Sequence, residues 1–394
     1  MKIVNLSYSD QFGGASRSAY NIHKSLLSAK LNSKMIVIKK FTNDNKIIKY
    51  ENNISKYIQK IKNYFSIIIS RIFFGGNASF NFFSNKNLVK LVNKEKPAIV
   101  LIHWIHAEML SIEDINKIKS KKIFVLHDMW WLKDCEHYFD EKYNNKNFMN
   151  PSFKNFINLS YLTALRKKKI KISNLVTPSN WLYICSKKFI KTKNLNIKKI
   201  KYALDVKKFR PLKIKKKEKK IKLLFVGFGK VDEKRKGIDL LVKVLNNLNN
   251  FNIELLIIGE IDKEKFKDLN IDIKFLKRVN SDYKLNKLYN YSDILLFTSR
   301  QDNLPNVVLE AQSAGLPVVS FNTGGLKDII RNNYNGYLCK SFDQNDFAKK
   351  VIKLINNKSL RLKFSINSRK YALKNLNYKK IGKEYLYYFK KGLN

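Results

Sequence analysis

Short apolar runs alternate with helical stretches along the whole chain, and this alternation predicts βαβ units built on parallel sheets. The strand-like runs of the first half are residues 2–6, 34–38, 98–103, 122–127 and 175–177. A second series follows at residues 220–227, 253–259, 273–276, 293–299 and 317–321. Two such series predict an α/β protein with two Rossmann-like, doubly wound domains that face each other across a cleft.

The boundary between the two domains is predicted from a proline followed by a run of lysines, PLKIKKKEKK, at residues 211–220. This composition is typical of a solvated linker, and a basic tail that binds a partner is the alternative. The predicted domains are therefore residues 1–212 and 213–377. Residues 378–394, rich in Tyr and Lys, are predicted as a C-terminal helix.

Residues 54–74 carry a long apolar stripe with basic residues at other positions. Its apolar members recur at helical spacing: Ile54, Tyr57, Ile58, Ile61, Phe65, Ile68 and Ile72. Most such stripes face the core of their own protein. A basic amphipathic helix can also lie in a membrane interface, and the segment 65–74 is apolar almost all round.

The chain has 394 residues and a net charge of +47. Lysine is spread throughout, together with many Asn and Ile residues, so a general compositional bias is the favoured explanation of this net charge. Binding to an anionic membrane surface is the second explanation. Binding to nucleic acid is the least favoured. Three widely spaced cysteines predict a reducing compartment. We expect no secretory signal and no membrane-spanning segment, hence a cytoplasmic protein, or one peripheral on the inner face of the plasma membrane.

The string SRQDNLPNVVLEAQSAGLPVVSFNTGG at residues 299–325 carries the clearest chemistry. It places Asp302 in a strand-to-helix loop and Glu310 on the helix that follows, with Pro305 near the start of the helix and Gly315 at its end. Two acceptors at this spacing suit a nucleotide sugar, because one can hold sugar hydroxyls and the other a ribose diol. The free N–H groups of such a loop also attract anions.

Two further loops follow predicted strands and precede predicted helices. Residues 227–237 contain glycines together with Lys230 and Lys236, a combination that brings backbone donors and positive charge to one anion. Near the N-terminus, Gly13 and Gly14 allow a ligand to approach the backbone closely. A third strand ends in the sequence His-Asp-Met-Trp, at residues 127–130.

Together these strings resemble the retaining GT-B glycosyltransferases of family 4, in the subgroup that builds polysaccharide and lipopolysaccharide. The resemblance implies a GT-B fold with an acceptor-binding domain at residues 1–212 and a nucleotide-sugar-binding domain at residues 213–377. It also implies that residues 378–394 form a helix that crosses back to the first domain. The implied reaction is a hexosyltransferase-type transfer from a nucleoside-diphosphate sugar to a glycan or lipid-linked acceptor, as in capsule synthesis.

The resemblance also implies roles for individual residues. Lys230, where the family has Arg, and Lys236 would grip the donor diphosphate. The other implied donor-binding residues are Gly13, Gly14, Asp302, Asn303, Leu304 and Glu310. His127, Asp302 and Lys236 would be catalytic, and Asp128 and Trp130 would shape the acceptor side. Lys201, Tyr202 and Ala203 replace the family's Pro-Asn-Gly.

No Asp-x-Asp sequence occurs in the chain, so we expect no metal and no cofactor. The expected partners are the nucleotide sugar, the acceptor and an anionic membrane surface, and nucleic acid is not expected. The alternative function is a non-catalytic GT-B-like protein that binds an anionic membrane or a polyanion.

Overall fold

A computed structural model describes residues 1–50, 53–74, 76, 78–138, 159–190, 195–214, 220–227 and 233–391. Contacts divide the chain into two units: unit 1 is Met1–Ala203 with Tyr378–Asn394, and unit 2 is Leu204–Asn377. Unit 2 thus starts before Pro211, whereas the sequence places the boundary at 212/213. The reason is that the Leu204 N–H donates to the Leu376 carbonyl at 2.7 Å, which ties this stretch to unit 2.

In the described part of unit 1, seven parallel strands form one sheet in the order β3-β2-β1-β4-β5-β6-β7. The strands are β1 (Lys2–Leu6), β2 (Asn32–Val37), β3 (Ile47–Lys49), β4 (Ile99–Ile102), β5 (Lys121–Val125), β6 (Asn174–Thr177) and β7 (Asn196–Lys199). The central strands are buried on both faces, as expected when helices cover both sides of a parallel sheet.

The helices of unit 1 include the last one of the chain. They are α1 (Gly14–Ser28), α2 (Asn53–Phe74), α3 (Lys86–Lys94), α4 (Leu159–Lys168), α5 (Asn180–Phe189) and α12 (Tyr378–Lys391). Helix α12 packs on α1 so closely that a Cβ added at Gly382 would lie 2.1 Å from the Ser25 carbonyl oxygen. Glycine at 382 therefore sets the distance between these two helices.

In the described part of unit 2, six parallel strands form a sheet in the order β10-β9-β8-β11-β12-β13. The strands are β8 (Ile221–Val226), β9 (Ile253–Ile258), β10 (Asp272–Leu276), β11 (Ile294–Phe297), β12 (Val318–Phe321) and β13 (Gly336–Cys339). The helices are α6 (Glu233–Lys236), α7 (Ile238–Asn246), α8 (Asp282–Tyr291), α9 (Asn306–Ser313), α10 (Gln344–Asn356) and α11 (Lys358–Asn375).

All ten predicted strand runs coincide with strands of the two sheets. Strands β3, β7 and β13 were not predicted, and all three lie at sheet edges. They are only three or four residues long, and an edge strand needs no continuous apolar run because one side of it has no neighbour. Among the described residues, no helix is both long enough and apolar enough to cross a bilayer.

Candidate functional site

The candidate donor site of unit 2 lies where its strand order reverses, between β8 and β11. The chain leaves β8 at Val226 and reaches α6, and it leaves β11 at Phe297 and reaches α9. In open α/β sheets, ligands bind beyond the carboxyl ends of the strands at such a reversal. Both loops of unit 2 that the sequence predicts to bind a nucleotide sugar thus lie at the carboxyl ends of these two neighbouring strands.

Lys236 and Asp302 meet across these two loops. The Lys236 Nζ donates to Asp302 Oδ2 at 2.7 Å, and Arg235 Nη1 lies 3.5 Å from the same oxygen. Burial opposes ionisation of Asp302, but the charges of Lys236 and Arg235 outweigh it and keep its pKa below the ordinary value. The structure therefore brings together two residues that the sequence assigns to catalysis, as an ion pair.

Backbone geometry holds the lysine in place. Gly237 has φ +69°, and a Cβ there would lie 2.1 Å from the Thr298 carbonyl oxygen, so only glycine fits at this point. The Thr298 hydroxyl donates to the Gly237 carbonyl at 2.9 Å, and the Ser299 hydroxyl donates to the Arg235 carbonyl at 3.1 Å. These bonds fasten the Lys236 loop to the end of β11.

A surface ion pair adds to this attachment. The Arg300 guanidinium donates both of its terminal N–H groups to the Asp239 carboxylate, each at 2.6 Å. The planar fork of Arg matches the two carboxylate oxygens, so the contact fixes direction as well as distance. Arg300 follows β11 and Asp239 lies in the first turn of α7, so the pair bridges the same two segments.

The other residues of unit 2 that are predicted to bind the donor follow Asp302. Asn303 and Leu304 are buried, and α9 begins directly after Pro305. Glu310, one turn into α9, is also buried, and its Oε2 accepts a hydrogen bond from the Tyr289 hydroxyl at 2.9 Å. A carboxylate held in this way is oriented before any ligand arrives.

Two more cations of the loop at residues 227–237 concern the candidate site, Lys230 and Arg235. Lys230 lies outside the described residues. Sequence reasoning missed Arg235, which stands beside Lys236 and contacts Asp302. The adjacent pair Arg-Lys before Gly237 was the signal that could have found it, because both cations precede the same helix start.

The predicted residues of unit 1 also lie near a reversal of strand order, between β1 and β4. Gly13, with φ +86°, is the residue before α1, and Gly14 is the first residue of that helix. His103 follows β4, and His127 follows β5. The strand order places these loops at the carboxyl ends of the neighbouring strands β1, β4 and β5.

His127 has a protein partner at each ring nitrogen. Its Nε2 lies 3.0 Å from His103 Nδ1, and its Nδ1 lies 2.7 Å from the Tyr202 hydroxyl. Burial lowers the pKa of His127 to about 4, so the ring is neutral near pH 7. A direct contact between this ring and a sugar or phosphate would therefore have to displace one of these two partners.

The hydrogen-bond chain beyond His103 assigns the proton positions. Asn5 Nδ2 donates to the Lys34 carbonyl at 3.1 Å, so Asn5 Oδ1 is the atom that faces His103 Nε2, at 3.1 Å, and accepts a hydrogen bond from its N–H. His103 Nδ1 is then the acceptor for the Nε2–H of His127. His127 Nδ1 consequently accepts from the Tyr202 hydroxyl.

Asp128 and Trp130 are held inside unit 1. Asp128 Oδ2 pairs with His137 Nδ1 at 2.7 Å, and Asp128 Oδ1 accepts from the Trp130 N–H at 3.0 Å. Burial opposes ionisation of Asp128, but His137 outweighs it and keeps its pKa far below the ordinary value. Trp130 is fully buried, and its indole N–H donates to the Ser79 carbonyl at 2.8 Å. Trp130 can shape an acceptor site only through its neighbours, since the ring itself is in the core.

One group of side chains has the composition of a metal site. Ligand atoms of His106, Asp128 and His137 all lie within 4.8 Å of one another. Two of these residues are already hydrogen-bonded to each other, and His106 Nδ1 lies 3.2 Å from Asn81 Oδ1. A cation here would have to replace the His137–Asp128 bond, so the arrangement is satisfied as it stands.

Residues 206–371 match the family model of glycosyl transferases group 1. The match falls inside unit 2 and contains Lys236, Asp302 and Glu310. The ion pair at the reversal of the strand order thus lies inside the matched segment.

Curated relatives match a similar share of the chain. An uncharacterized glycosyltransferase of Haemophilus influenzae is 33% identical over 144 residues, which cover 34% of this chain and 40% of the relative. The capsular polysaccharide biosynthesis glycosyltransferase CapM of Staphylococcus aureus is 29% identical over 147 residues, 35% of this chain and 38% of the relative. The chain thus spans about two fifths of the length of the curated relatives it matches.

Solved structures extend the likeness to the whole fold. Anabaena HepE in complex with UDP-glucose has a TM-score of 0.69 at 13% identity, with 99% of each chain covered. WaaG, a glycosyltransferase involved in lipopolysaccharide biosynthesis, has a TM-score of 0.64 at 16% identity, covering 97% of this chain and 98% of WaaG. These likenesses confirm the predicted GT-B fold of two Rossmann-like domains.

Proposed function

We propose that the protein is a retaining, metal-independent glycosyltransferase. It moves a sugar from a nucleoside-diphosphate sugar to a glycan or lipid-linked glycan acceptor in cell-surface polysaccharide synthesis. The observation that carries the proposal is the Lys236–Asp302 pair at the reversal of strand order, inside the segment that matches group 1 glycosyl transferases. The capsular role of CapM supports the product class.

The proposed donor contacts follow from charge. Lys236 and Arg235 offer two cations beside one carboxylate, so a net positive charge remains for a diphosphate. Asp302 is ionised and accepts hydrogen bonds from sugar hydroxyls, while Glu310 accepts from the ribose diol. The complex of HepE with UDP-glucose supports a donor of the uridine diphosphate type.

The transfer step breaks the bond between the anomeric carbon and the diphosphate oxygen, and forms one from that carbon to the acceptor hydroxyl oxygen. Negative charge develops on the departing diphosphate, where fixed cations stabilise the transition state more than the ground state. The departing phosphate oxygen takes the proton of the acceptor hydroxyl on the same face of the sugar, which retains the anomeric configuration. The roles of Gly13, Gly14, His127 and Asp128 stay predictions.

We also propose that this reaction takes place on the cytoplasmic side, at the inner face of the plasma membrane. A lipid-linked acceptor would be presented there. The absence of a cofactor is part of the same proposal, because lysine and arginine can supply the positive charge at the diphosphate.

A panel of nucleotide sugars tests the proposal with the purified full-length chain. We expect nucleoside diphosphate to be released in the presence of a glycan acceptor, with NMR showing the anomeric configuration of the donor in the product. Activity should persist in EDTA. Inversion of configuration would contradict the retaining mechanism, and loss of activity in EDTA with recovery on added Mn²⁺ or Zn²⁺ would contradict metal independence.

A further inference from the structure

Helix α2 (Asn53–Phe74) presents polar side chains to the rest of unit 1. The Gln59 side-chain amide donates to the Ala107 carbonyl at 2.7 Å, and Ser66 and Ser70 are buried. These three polar residues are seven and four positions apart, so they share one side of the helix. The side of α2 that contacts the protein is therefore partly polar.

Apolar contacts between α2 and the protein are few: the Phe65 ring meets Phe83 edge-on, with 6.3 Å between centroids, and the others described here lie at the end of the helix. Ile69 and Phe74 are half-buried and pack on a small cluster formed by Ala78, Phe80 and Cys135. The Ser70 hydroxyl donates to the Ala78 carbonyl at 2.9 Å and accepts from the Ala78 N–H at 3.0 Å. Hydrogen bonds and this small cluster thus anchor α2, and most of its large apolar side chains are not needed for the purpose.

Around the rest of its surface, α2 exposes large apolar side chains to solvent. They are Tyr57, Ile58, Ile61, Tyr64, Phe65, Ile67, Ile68, Ile72 and Phe73. Ile61, Tyr64 and Ile72 are 69%, 67% and 68% exposed. The interpretation that this stripe packs on the protein's own core is wrong for its members from Tyr57 to Ile72. The side chain of Ile54 lies outside the described residues.

We name these nine side chains the α2 apolar face. Contiguous apolar patches on the order of several hundred Å² are uncommon on soluble monomers and mark sites of association. The apolar face of an ordinary surface helix points inward, and here it points outward. Such a helix is stable when a second apolar phase or surface covers it.

Charge decides what kind of surface covers it. Residues 53–74 contain Lys56, Lys60, Lys62 and Arg71, with no Asp or Glu among them. A second copy of the chain would bring the same cations to the interface, and each chain carries a net charge of +47. An anionic lipid surface instead attracts these cations while its acyl region accepts the apolar side chains.

We propose that α2 lies in the plane of an anionic membrane with the α2 apolar face inserted at the level of the lipid headgroups and upper acyl chains. The helix is about 33 Å long at 1.5 Å per residue, and the side chains opposite the buried Ser66 and Ser70, such as Ile61, Tyr64 and Ile72, enter deepest. This inference extends the proposed peripheral location by naming the element that docks, and it does not depend on glycosyl transfer.

Vesicle flotation of the full-length protein tests the proposal. Vesicles of phosphatidylcholine with phosphatidylglycerol are compared with vesicles of phosphatidylcholine alone. We expect the protein to float with the anionic vesicles, and the partition coefficient to fall at least tenfold in the triple variant Ile61→Ser, Tyr64→Ser, Ile72→Ser. All three side chains are exposed, so the variant should keep its fold and its melting temperature.

A matched control makes the same kind of change elsewhere. Leu362→Ser with Ile366→Ser removes two exposed apolar side chains from α11 in unit 2, which are 61% and 47% exposed, and binding should stay within twofold of wild type. Lys60→Gln with Arg71→Gln should weaken binding to anionic vesicles while leaving the apolar face intact.

Three outcomes would overturn the proposal. The first is no flotation of the wild-type protein with anionic vesicles at low salt. The second is equal partition of the wild type and the triple variant, which would mean that charge alone binds the vesicle. The third is a wild-type dimer in sedimentation, without vesicles, that the triple variant dissociates, since the α2 apolar face would then belong to a protein interface.

Discussion

At the scale of single residues, Asp302 is kept ionised by its neighbours and not by solvent. Its carboxylate is paired with Lys236 and approached by Arg235, which offsets the penalty of burial. Asp302 can therefore accept hydrogen bonds from a ligand at neutral pH. Lys236 is the partner whose removal should change the site most, because it makes the shorter contact.

Replacing Lys236 with Gln should weaken donor binding about tenfold, or about 1.4 kcal/mol, because a charged hydrogen bond to the diphosphate is lost. Isothermal titration with the donor found in the nucleotide-sugar panel measures the change. Lys234→Gln is the matched control, since Lys234 is exposed on the same short helix. Equal donor affinities of the two variants would mean that Lys236 does not contact the donor.

The contact between Tyr202 and His127 supports a second residue-level prediction. Tyr202→Phe removes the 2.7 Å hydrogen bond that the Tyr202 hydroxyl makes to the buried His127 Nδ1. We expect the free energy of unfolding to fall by about 1–2 kcal/mol. A double-mutant cycle with His127→Ala should give a coupling energy of about 1 kcal/mol.

The control for this prediction is Tyr283→Phe, because Tyr283 is 64% exposed and should change stability by less than about 0.5 kcal/mol. Zero coupling between Tyr202 and His127 would mean that the hydrogen bond does not hold the ring. A role for His127 in direct ligand contact would then be easier to reconcile with the site.

At the scale of elements, the last helix is part of the first unit because α12 lies directly against α1. Tyr378 at its start donates from its hydroxyl to Asn21 Oδ1 at 2.8 Å, and Gly382 allows the two backbones to approach. Tyr385 and Tyr388 are buried between this helix and the rest of the unit. Loss of this close contact should lower the stability of unit 1.

Gly382→Ala should lower the free energy of unfolding by about 1–3 kcal/mol, because its Cβ would overlap the Ser25 carbonyl oxygen and push α12 away from α1. Alanine is the better helix former, so an isolated helix would gain stability from the same change. Chemical denaturation measures the difference. Lys383→Ala, exposed on the same helix, is the control, and a stabilised Gly382→Ala protein would contradict the close packing.

At the scale of the whole molecule, buried histidines link stability to pH. Burial lowers the pKa of both His23 and His127 to about 4, and it holds the pKa of His103 well below its ordinary value. Between pH 6.5 and 4 the unfolded chain binds protons at these rings and the folded protein does not. Stability is therefore fully present above pH 6.5 and falls as the pH falls through this window.

Each ring with a folded pKa of about 4 should lower the free energy of unfolding by about 2 kcal/mol between pH 7 and pH 5. Urea denaturation at pH 7 and pH 5 measures this loss in the wild-type protein. His23→Gln should show a smaller loss over the same interval, whatever its stability at pH 7. Identical losses in the two proteins would mean that His23 is protonated in the folded state.

The sequence by itself determined the two parallel α/β domains, because apolar runs of strand length between helical stretches leave few other arrangements. It also predicted which loops would carry the donor chemistry, since glycines, cations and carboxylates at strand ends have few structural uses. The three edge strands could not be predicted in the same way, because β3, β7 and β13 are short and lack a continuous apolar signal.

Only the tertiary structure decided which of these residues meet. It paired Lys236 with Asp302 and added Arg235, because strand order, and not distance along the chain, places two loops side by side. It enclosed the His127 ring between His103 and Tyr202. It also turned the apolar stripe of α2 outward, which periodicity cannot reveal, since a stripe has the same spacing whichever surface it faces.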